Sequence, residues 1–271
     1  METITNHNML YHYTSLNALR GILENKELWL GNVLSMNDAS ECSNFIDRLS
    51  NNIKKDLGIE YEKDIKTFIQ KIRTGVKEDA PFVACFSKLD DNAAQWERYA
   101  DGAKGVCIGF DRALFERMIK KCGGLSLQDI EYRYNIKHHD HFTNAKNWLL
   151  HKKLPLGCKD EKALVSNIIV CSYLHKHKSF FTEEEVRLAR LCDTSFIRHE
   201  FKWNNDIVKD IRVIDLNEMC EIANIDFESL VCSITVGPKS KQAVSNLGGY
   251  IDSLGFARIA SRTYKAKCPL R

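Results

Sequence analysis

The chain has 271 residues, 44% hydrophobic and 28% charged, and its 39 Lys and Arg against 36 Asp and Glu leave a net charge of only +3. That composition is globular and long enough to bury a sizeable core, and the balance is too even for gross positive charge to drive nucleic-acid binding. No apolar run approaches the roughly 18 residues of a membrane helix, and Met1–Asn6 lacks the basic start and apolar middle of an export signal, so a cytoplasmic protein with no membrane partner is expected. Ten cysteines are scattered singly with no C-x-x-C pair, which reads as reduced, mostly buried thiols with no disulfide framework and no zinc site.

In chain order, Met9-Leu10-Tyr11 begins a strand that turns at Thr14-Ser15, two helix-capping residue types, into the helical spacing Leu16, Leu19, Ile22, Leu23. Leu28-Trp29-Leu30 reads as a second strand. The polar stretch Asn37–Asp79 reads as two helices broken near Gly58 and ending at Gly75. Pro81–Ser87 and Gly105–Phe110 are apolar enough for buried strands, with a short helix over Asn92–Ala100 between them. A helix is predicted over Ala113–Lys121, and an alternating strand over Ile130–Tyr134. Asp140–His177 is mostly helical, interrupted near Pro155-Leu156-Gly157. Strands follow at Glu185–Leu191, Phe196–Lys202, Ile207–Val213 and Leu230–Val236. A helix over Lys239–Leu254 and a closing strand at Ala257–Ala260 complete the pattern. There are no repeats or linkers, and one α+β domain over 1–271, with largely helical stretches at about 42–80 and 135–178, is the simplest account.

Four groups of residues offer chemistry. His12, flanked by Tyr11 and Tyr13 at a strand end beside a helix start, suits a nucleotide: rings to stack, imidazole for a ribose hydroxyl, free N–H groups for phosphate. The same residues also read as a strand end with core aromatics. Glu183-Glu184-Glu185 opens a strand. Alternation puts Glu183, Glu185 and Arg187 on one face, either as two carboxylates dividing catalytic labour or as a solvated charge run. Ser87 ends a buried strand, and Trp96 and Tyr99 share a helix face, Trp96 reading as core. Val236-Gly237-Pro238-Lys239, with Ser261–Lys265, forms a second strand-end cluster, either a phosphate site through backbone N–H groups and Lys239 or a plain strand–turn–helix. His138-His139-Asp140-His141, with His175 and His177 downstream, reads as a polar loop. Adjacent histidines do not easily all aim at one ion, and no metal is expected.

The order and spacing of these blocks resemble a bacterial and phage domain family, DUF2971. The resemblance rests on Tyr11-His12-Tyr13-Thr14-Ser15, Leu28-Trp29-Leu30 with Met36-Asn37-Asp38 and Glu41, and Cys85-Phe86-Ser87. It continues through Trp96-x-x-Tyr99-Ala100, Gly105–Phe110, Glu183-x-Glu185-x-Arg187-Leu188, Gly237-Pro238-Lys239 and Ser261–Lys265. More distantly the layout is similar to the ADP-ribosyltransferase fold, a split β-sandwich holding NAD in a central cleft. The resemblance implies that His12, Tyr13, Thr14, Ser87 and Tyr99 contact NAD as a substrate, with either Ser87 or Tyr99 as the middle residue. It also implies that Glu185 is catalytic with Glu183 as its E-x-E partner. The expected function is ADP-ribosyl transfer to a protein or nucleic-acid acceptor or NAD hydrolysis, in a toxin or antiphage setting. The alternatives are an inactive nucleotide- or nucleic-acid-binding module on the same fold and, third, a nuclease using the two glutamates with a divalent metal.

Overall fold

The computed structural model describes residues 8–35, 40–78, 80–132, 135–204 and 207–270. The first third comprises β1 (Met9–Thr14), α1 (Leu16–Glu24), β2 (Glu27–Asn32), α2 (Ser40–Leu57), α3 (Glu62–Glu78) and β3 (Phe82–Ser87). Then come α4 (Ala93–Tyr99), β4 (Val106–Asp111), α5 (Arg112–Cys122), β5 (Leu125–Asp129), α6 (Asp140–His151), α7 (Glu161–Ser172) and β6 (Glu185–Arg190). The chain continues with β7 (Ile197–Asn204), β8 (Ile207–Asp215), α8 (Leu216–Ala223), α9 (Phe227–Leu230) and β9 (Val231–Val236). It closes with α10 (Val244–Ser253), α11 (Ala257–Ala260) and β10 (Thr263–Lys265).

Most helix starts follow from short polar side chains. Ser15 Oγ accepts from Ala18 N at 3.1 Å, Asn92 Oδ1 from Gln95 N at 3.2 Å and Asp111 Oδ1 from Leu114 N at 2.9 Å. Each satisfies a donor that the first helical turn leaves without an intrahelical partner.

The structure departs from the sequence reading in five places. Helix α3 continues past Gly75 to Glu78; a Cβ at Gly75 would lie 2.6 Å from Ile169 Cδ1, so this glycine allows a close approach to α7 and does not stop the helix. The strand predicted at Ile130–Tyr134 lies earlier, at Leu125–Asp129, where it pairs with β6. Of the predicted residues, Glu131 makes an isolated bridge with His175, and Arg133 and Tyr134 lie outside the described residues. Helix α10 begins only at Val244, and Ala257–Ala260 is a helical turn whose start is held by Glu228 Oε2, which accepts from Arg258 N at 2.7 Å. The closing strand is Thr263–Lys265. The amphipathic α8, capped by Asp215, falls where the sequence reading places no element.

Contacts divide the chain into two compact units, one running through residue 30, 83–129 and from 182 onward, the other 31–82 and 130–181. The first is built on an open mixed sheet in the order β10-β9-β4-β1-β3-β2-β8-β7, with β6 added to β3 and β5 to β6. β10 runs parallel to β9; the pairs of β1 with β4, β4 with β9 and β3 with β6 are antiparallel. β1 and β3 share a single pair, Tyr11 with Ser87, before each continues along other partners. The second unit is a helical cluster. Its core comes from i, i+3, i+4 stripes: Phe45, Leu49 and Ile53 of α2, Ile65, Phe68, Ile69 and Ile72 of α3, and Leu164 and Ile168 of α7. Fully burying each of these side chains contributes about 1.5–3 kcal/mol. Among the described residues no helix is long and apolar enough to cross a membrane. All ten cysteines are free thiols; Cys42, Cys107, Cys171 and Cys220 are buried, Cys192 is exposed and the rest are intermediate.

Candidate active site

Strand register assigns the faces of the sheet. Tyr11 pairs with Ser87 and Ser87 with Glu185, so these three stand in one row on one face; Tyr13, opposite Cys107, and Arg187, opposite Cys85, lie on the same side. His12 and Thr14 are one residue out of step and lie on the opposite face. There the His12 ring tilts against Phe86 at 5.5 Å and its Nδ1 donates to Cys85 O at 2.9 Å. Burial pushes its pKa down, opposed by that bond to the carbonyl. The structure therefore does not bring His12 and Thr14 together with the glutamates.

Glu183 is the centre of the constellation. It is 2% exposed and ends a 3-10 turn, Lys178–Glu183, so it is not on the strand where alternation places it. Glu184 adopts a left-handed conformation with φ 42°, and β6 begins only at Glu185. The kink removes the shared strand face that the sequence predicts for Glu183 and Glu185. The Glu183 backbone carbonyl accepts from Ser87 Oγ at 2.7 Å and Gln95 Nε2 at 3.2 Å. Its carboxylate Oε1 accepts from Arg98 Nη1 at 2.6 Å and Tyr99 Oη at 3.2 Å. Gln95, Arg98 and Tyr99 are i, i+3 and i+4 of α4, so one helix face supplies three of these four donors. Tyr99 is 37% exposed, and the Arg98 side chain is half exposed. The constellation thus reaches from a buried carboxylate to solvent.

Glu185 is held differently. Arg187, two residues along the same strand face, donates through Nε to Oε1 at 2.6 Å and through Nη2 to Oε2 at 3.3 Å, with both residues buried. This two-point, charge-assisted contact fixes the carboxylate plane, and it also spends charge that would otherwise act on a ligand.

The remaining predicted residues are structural in part. Tyr13 is buried edge-on against Trp96 at 5.0 Å; its hydroxyl donates to Leu89 O and accepts from Asn92 N. Burial, with Cys107 nearby, drives its phenol pKa up. Trp96 is fully buried, as expected, and its Nε1 donates to Asp91 Oδ1 at 2.8 Å. Tyr11 is half-buried, its pKa pushed up to about 12 by burial and by Asp90. Ser87 accepts from Leu89 N as well as donating to Glu183 O, so its hydroxyl ties β3 to the turn before β6. The Gly237–Lys239 segment spends its donors on the protein: Gly237 N donates to Gly105 O and Lys239 N to Ala103 O. Lys265 Nζ caps the Gly237 and Ser240 carbonyls. This is the strand–turn reading, not a phosphate cradle. Met36-Asn37-Asp38 lie outside the described residues, as does the Glu41 side chain.

Sequence reasoning missed Arg98, Gln95 and Asp91. The α4 spacing held the signal for the first two, because Gln95-x-x-Arg98-Tyr99 marks a polar stripe beside the Trp96 face. Asp91 gave no such sign. It sits at φ 45°, and its Oδ2 accepts from Lys267 N and Cys268 N, 176 and 177 residues away.

No curated protein and no solved structure matches the chain. Residues 95–188 match a family described as "Protein of unknown function (DUF2971)". The matched segment opens at Gln95 and closes at Leu188, taking in Arg98, Tyr99, Glu183, Glu185 and Arg187, so the similarity to the DUF2971 family is carried by the stretch that holds the candidate site.

Proposed function

We propose that the sheet unit binds NAD as a substrate and breaks its nicotinamide–ribose bond, passing ADP-ribose to water or to a protein or nucleic-acid acceptor. The observation that carries the reading is the pair of buried carboxylates in one short segment, Glu183 and Glu185, each held by its own arginine. The single-pair junction of β1 and β3, which sets Tyr11, Ser87 and Glu185 in one row, supports it. Cleaving this bond develops oxocarbenium-like charge on the ribose, and a fixed carboxylate stabilises that charge more in the transition state than in the ground state. On this reading Glu185 faces the ribose. Glu183, oriented by Arg98 and Tyr99, accepts a proton from the acceptor or attacking water. The half-buried Tyr11 and partly exposed Tyr99 offer ring faces to the nicotinamide or adenine. A toxin or antiphage effector is the setting such chemistry suits.

Nicotinamide release from NAD by the purified protein, with bacterial lysate as a source of acceptors, tests this directly. Release by the wild type and none by Glu185→Gln, with NAD binding kept, is the expected result. Retained turnover in Glu185→Gln sinks the assignment.

The second reading is a binding module without turnover, taking a nucleotide or nucleic acid. Its specific support is that Arg187 already neutralises Glu185, and that the Ser87 and Tyr13 hydroxyls are engaged within the protein. It predicts ligand binding that tolerates Glu185→Gln, falling with salt if the ligand is nucleic acid.

A further inference from the structure

The helical unit gathers three side chains from separate parts of the sequence around one point. His175 Nε2 lies 3.1 Å and His139 Nε2 3.5 Å from the same oxygen, Glu131 Oε2, and the two imidazole nitrogens are 2.9 Å apart. His139 comes from the loop read above as merely polar. The objection that adjacent histidines cannot share an ion is met because its partner is His175, not His138 or His141. His141 stacks on the His139 ring at 5.4 Å, and the His177 ring accepts from Ser179 N.

The surroundings fix the ring orientations. His175 Nδ1 lies 2.7 Å from Cys171 O; a carbonyl only accepts, so Nδ1 carries the proton and Nε2 presents its lone pair toward Glu131 and His139. An imidazole that donates its far N–H to a backbone carbonyl is the usual support of a metal-bound histidine. The buried Phe45 ring packs 4.8 Å from His175 and 6.2 Å from His139. The Glu131 side chain is about half exposed, leaving access from solvent. Cys171 Sγ sits 3.6 Å from His175 Nδ1 and 4.0 Å from His139 Nδ1, at the nitrogens turned away from the shared point.

We propose that Glu131 Oε2, His139 Nε2 and His175 Nε2 bind a divalent transition-metal ion, zinc in the first instance. Two imidazoles and one carboxylate form a donor set suited to zinc and its neighbours rather than to magnesium or calcium. The point equidistant from the three atoms lies about 1.8 Å from each in their common plane, so an ion at the roughly 2.0–2.1 Å of zinc–nitrogen bonds sits just out of that plane, its remaining positions open to water. Such an ion ties the segment after β5, the start of α6 and the segment after α7 to one another.

The experiment uses the full-length protein, freed of metal by chelation and dialysis and titrated with zinc alone and with cobalt(II) alone. One equivalent of zinc raising the melting temperature, and a visible cobalt absorption without a thiolate charge-transfer band, are expected. Glu131→Ala and His139→Ala are expected to lose the cobalt band and the zinc-dependent melting shift. Glu131, half exposed, is the variant expected to keep its fold, checked by the circular dichroism of the metal-free protein. Cys171→Ser is expected to keep both signals. A folded wild type with neither signal overturns the site. A cobalt band that persists in both ligand variants, or a thiolate band that Cys171→Ser abolishes, overturns this donor set.

Discussion

The sheet unit and the helical unit bury polar side chains by different means. In the sheet unit the buried carboxylates come with guanidinium partners: Arg187 two residues along the strand for Glu185, and Arg98 on the neighbouring helix for Glu183. In the helical unit the cluster holds two imidazoles, a thiol and one half-exposed carboxylate, drawn from positions 131, 139, 171 and 175. A strand places residues i and i+2 on one face by geometry alone, so a partner can be written into three consecutive positions. Helices bring distant residues together only once their apolar stripes have packed. The first arrangement pairs carboxylate with guanidinium; the second converges on a point that a cation fits.

The sharpest way to break this comparison is Arg187→Ala. It removes the two-point guanidinium contact from the buried Glu185 carboxylate and is expected to lower unfolding stability by about 3–5 kcal/mol in a denaturant titration. The double variant Glu185→Leu with Arg187→Met is expected to recover most of that loss, since an apolar pair of similar volume removes the desolvation penalty together with the attraction. If both variants lose the same amount, the pair is not a self-compensating unit. A smaller effect tests where the two units are alike. Ser15→Ala in the sheet unit and Asp160→Ala in the helical unit each delete a side chain accepting from an N3 backbone N–H. Each is expected to cost about 1 kcal/mol, read by the same titration, and a large asymmetry would show that capping is coupled to more than its own helix.

The smallest effect concerns pH. Burial holds the folded-state pKa of His12 below its ordinary value, so between the two values the unfolded chain binds the extra proton. Stability from this group is therefore full above the ordinary histidine range and falls as the pH drops through it. Melting curves between about pH 7.5 and 5.5 are expected to show a shallower pH slope for His12→Phe than for the wild type. An unchanged slope would mean that His12 is not a source of acid sensitivity.

How much of this was legible in the sequence differs in the same way. Alternation and short polar caps are local, so β1 with α1, β3, α4, β4 and β6 were readable to within a residue or two. The Glu185–Arg187 pairing was readable for the same reason. The Glu183 placement was not, because the strand pattern extends smoothly through Glu184 and only its left-handed backbone breaks it. His12 stands apart from the glutamates for a local reason: flanking tyrosines suggest a common cleft, yet period 2 sends its ring to the far face beside Phe86. The Ile130–Tyr134 strand failed because Leu125 and Leu127 alternate equally well and lie opposite β6, which only the fold decides. The His139–His175 meeting depends on helix packing over 36 residues and left no mark in spacing.

One consequence follows from the interleaving of the two units. The sheet unit is assembled from three stretches, the last beginning at residue 182, with the helical unit's segments between them. During synthesis from the N-terminus, Tyr11, Ser87, Arg98 and Tyr99 all emerge before either Glu183 or Glu185. A nascent chain paused before residue 182 thus carries Ser87, Arg98 and Tyr99 without the Glu183 oxygens to which they donate, and β3 has yet to meet β6. The candidate site is therefore a late event of vectorial folding, closed only when non-local strand pairing becomes possible.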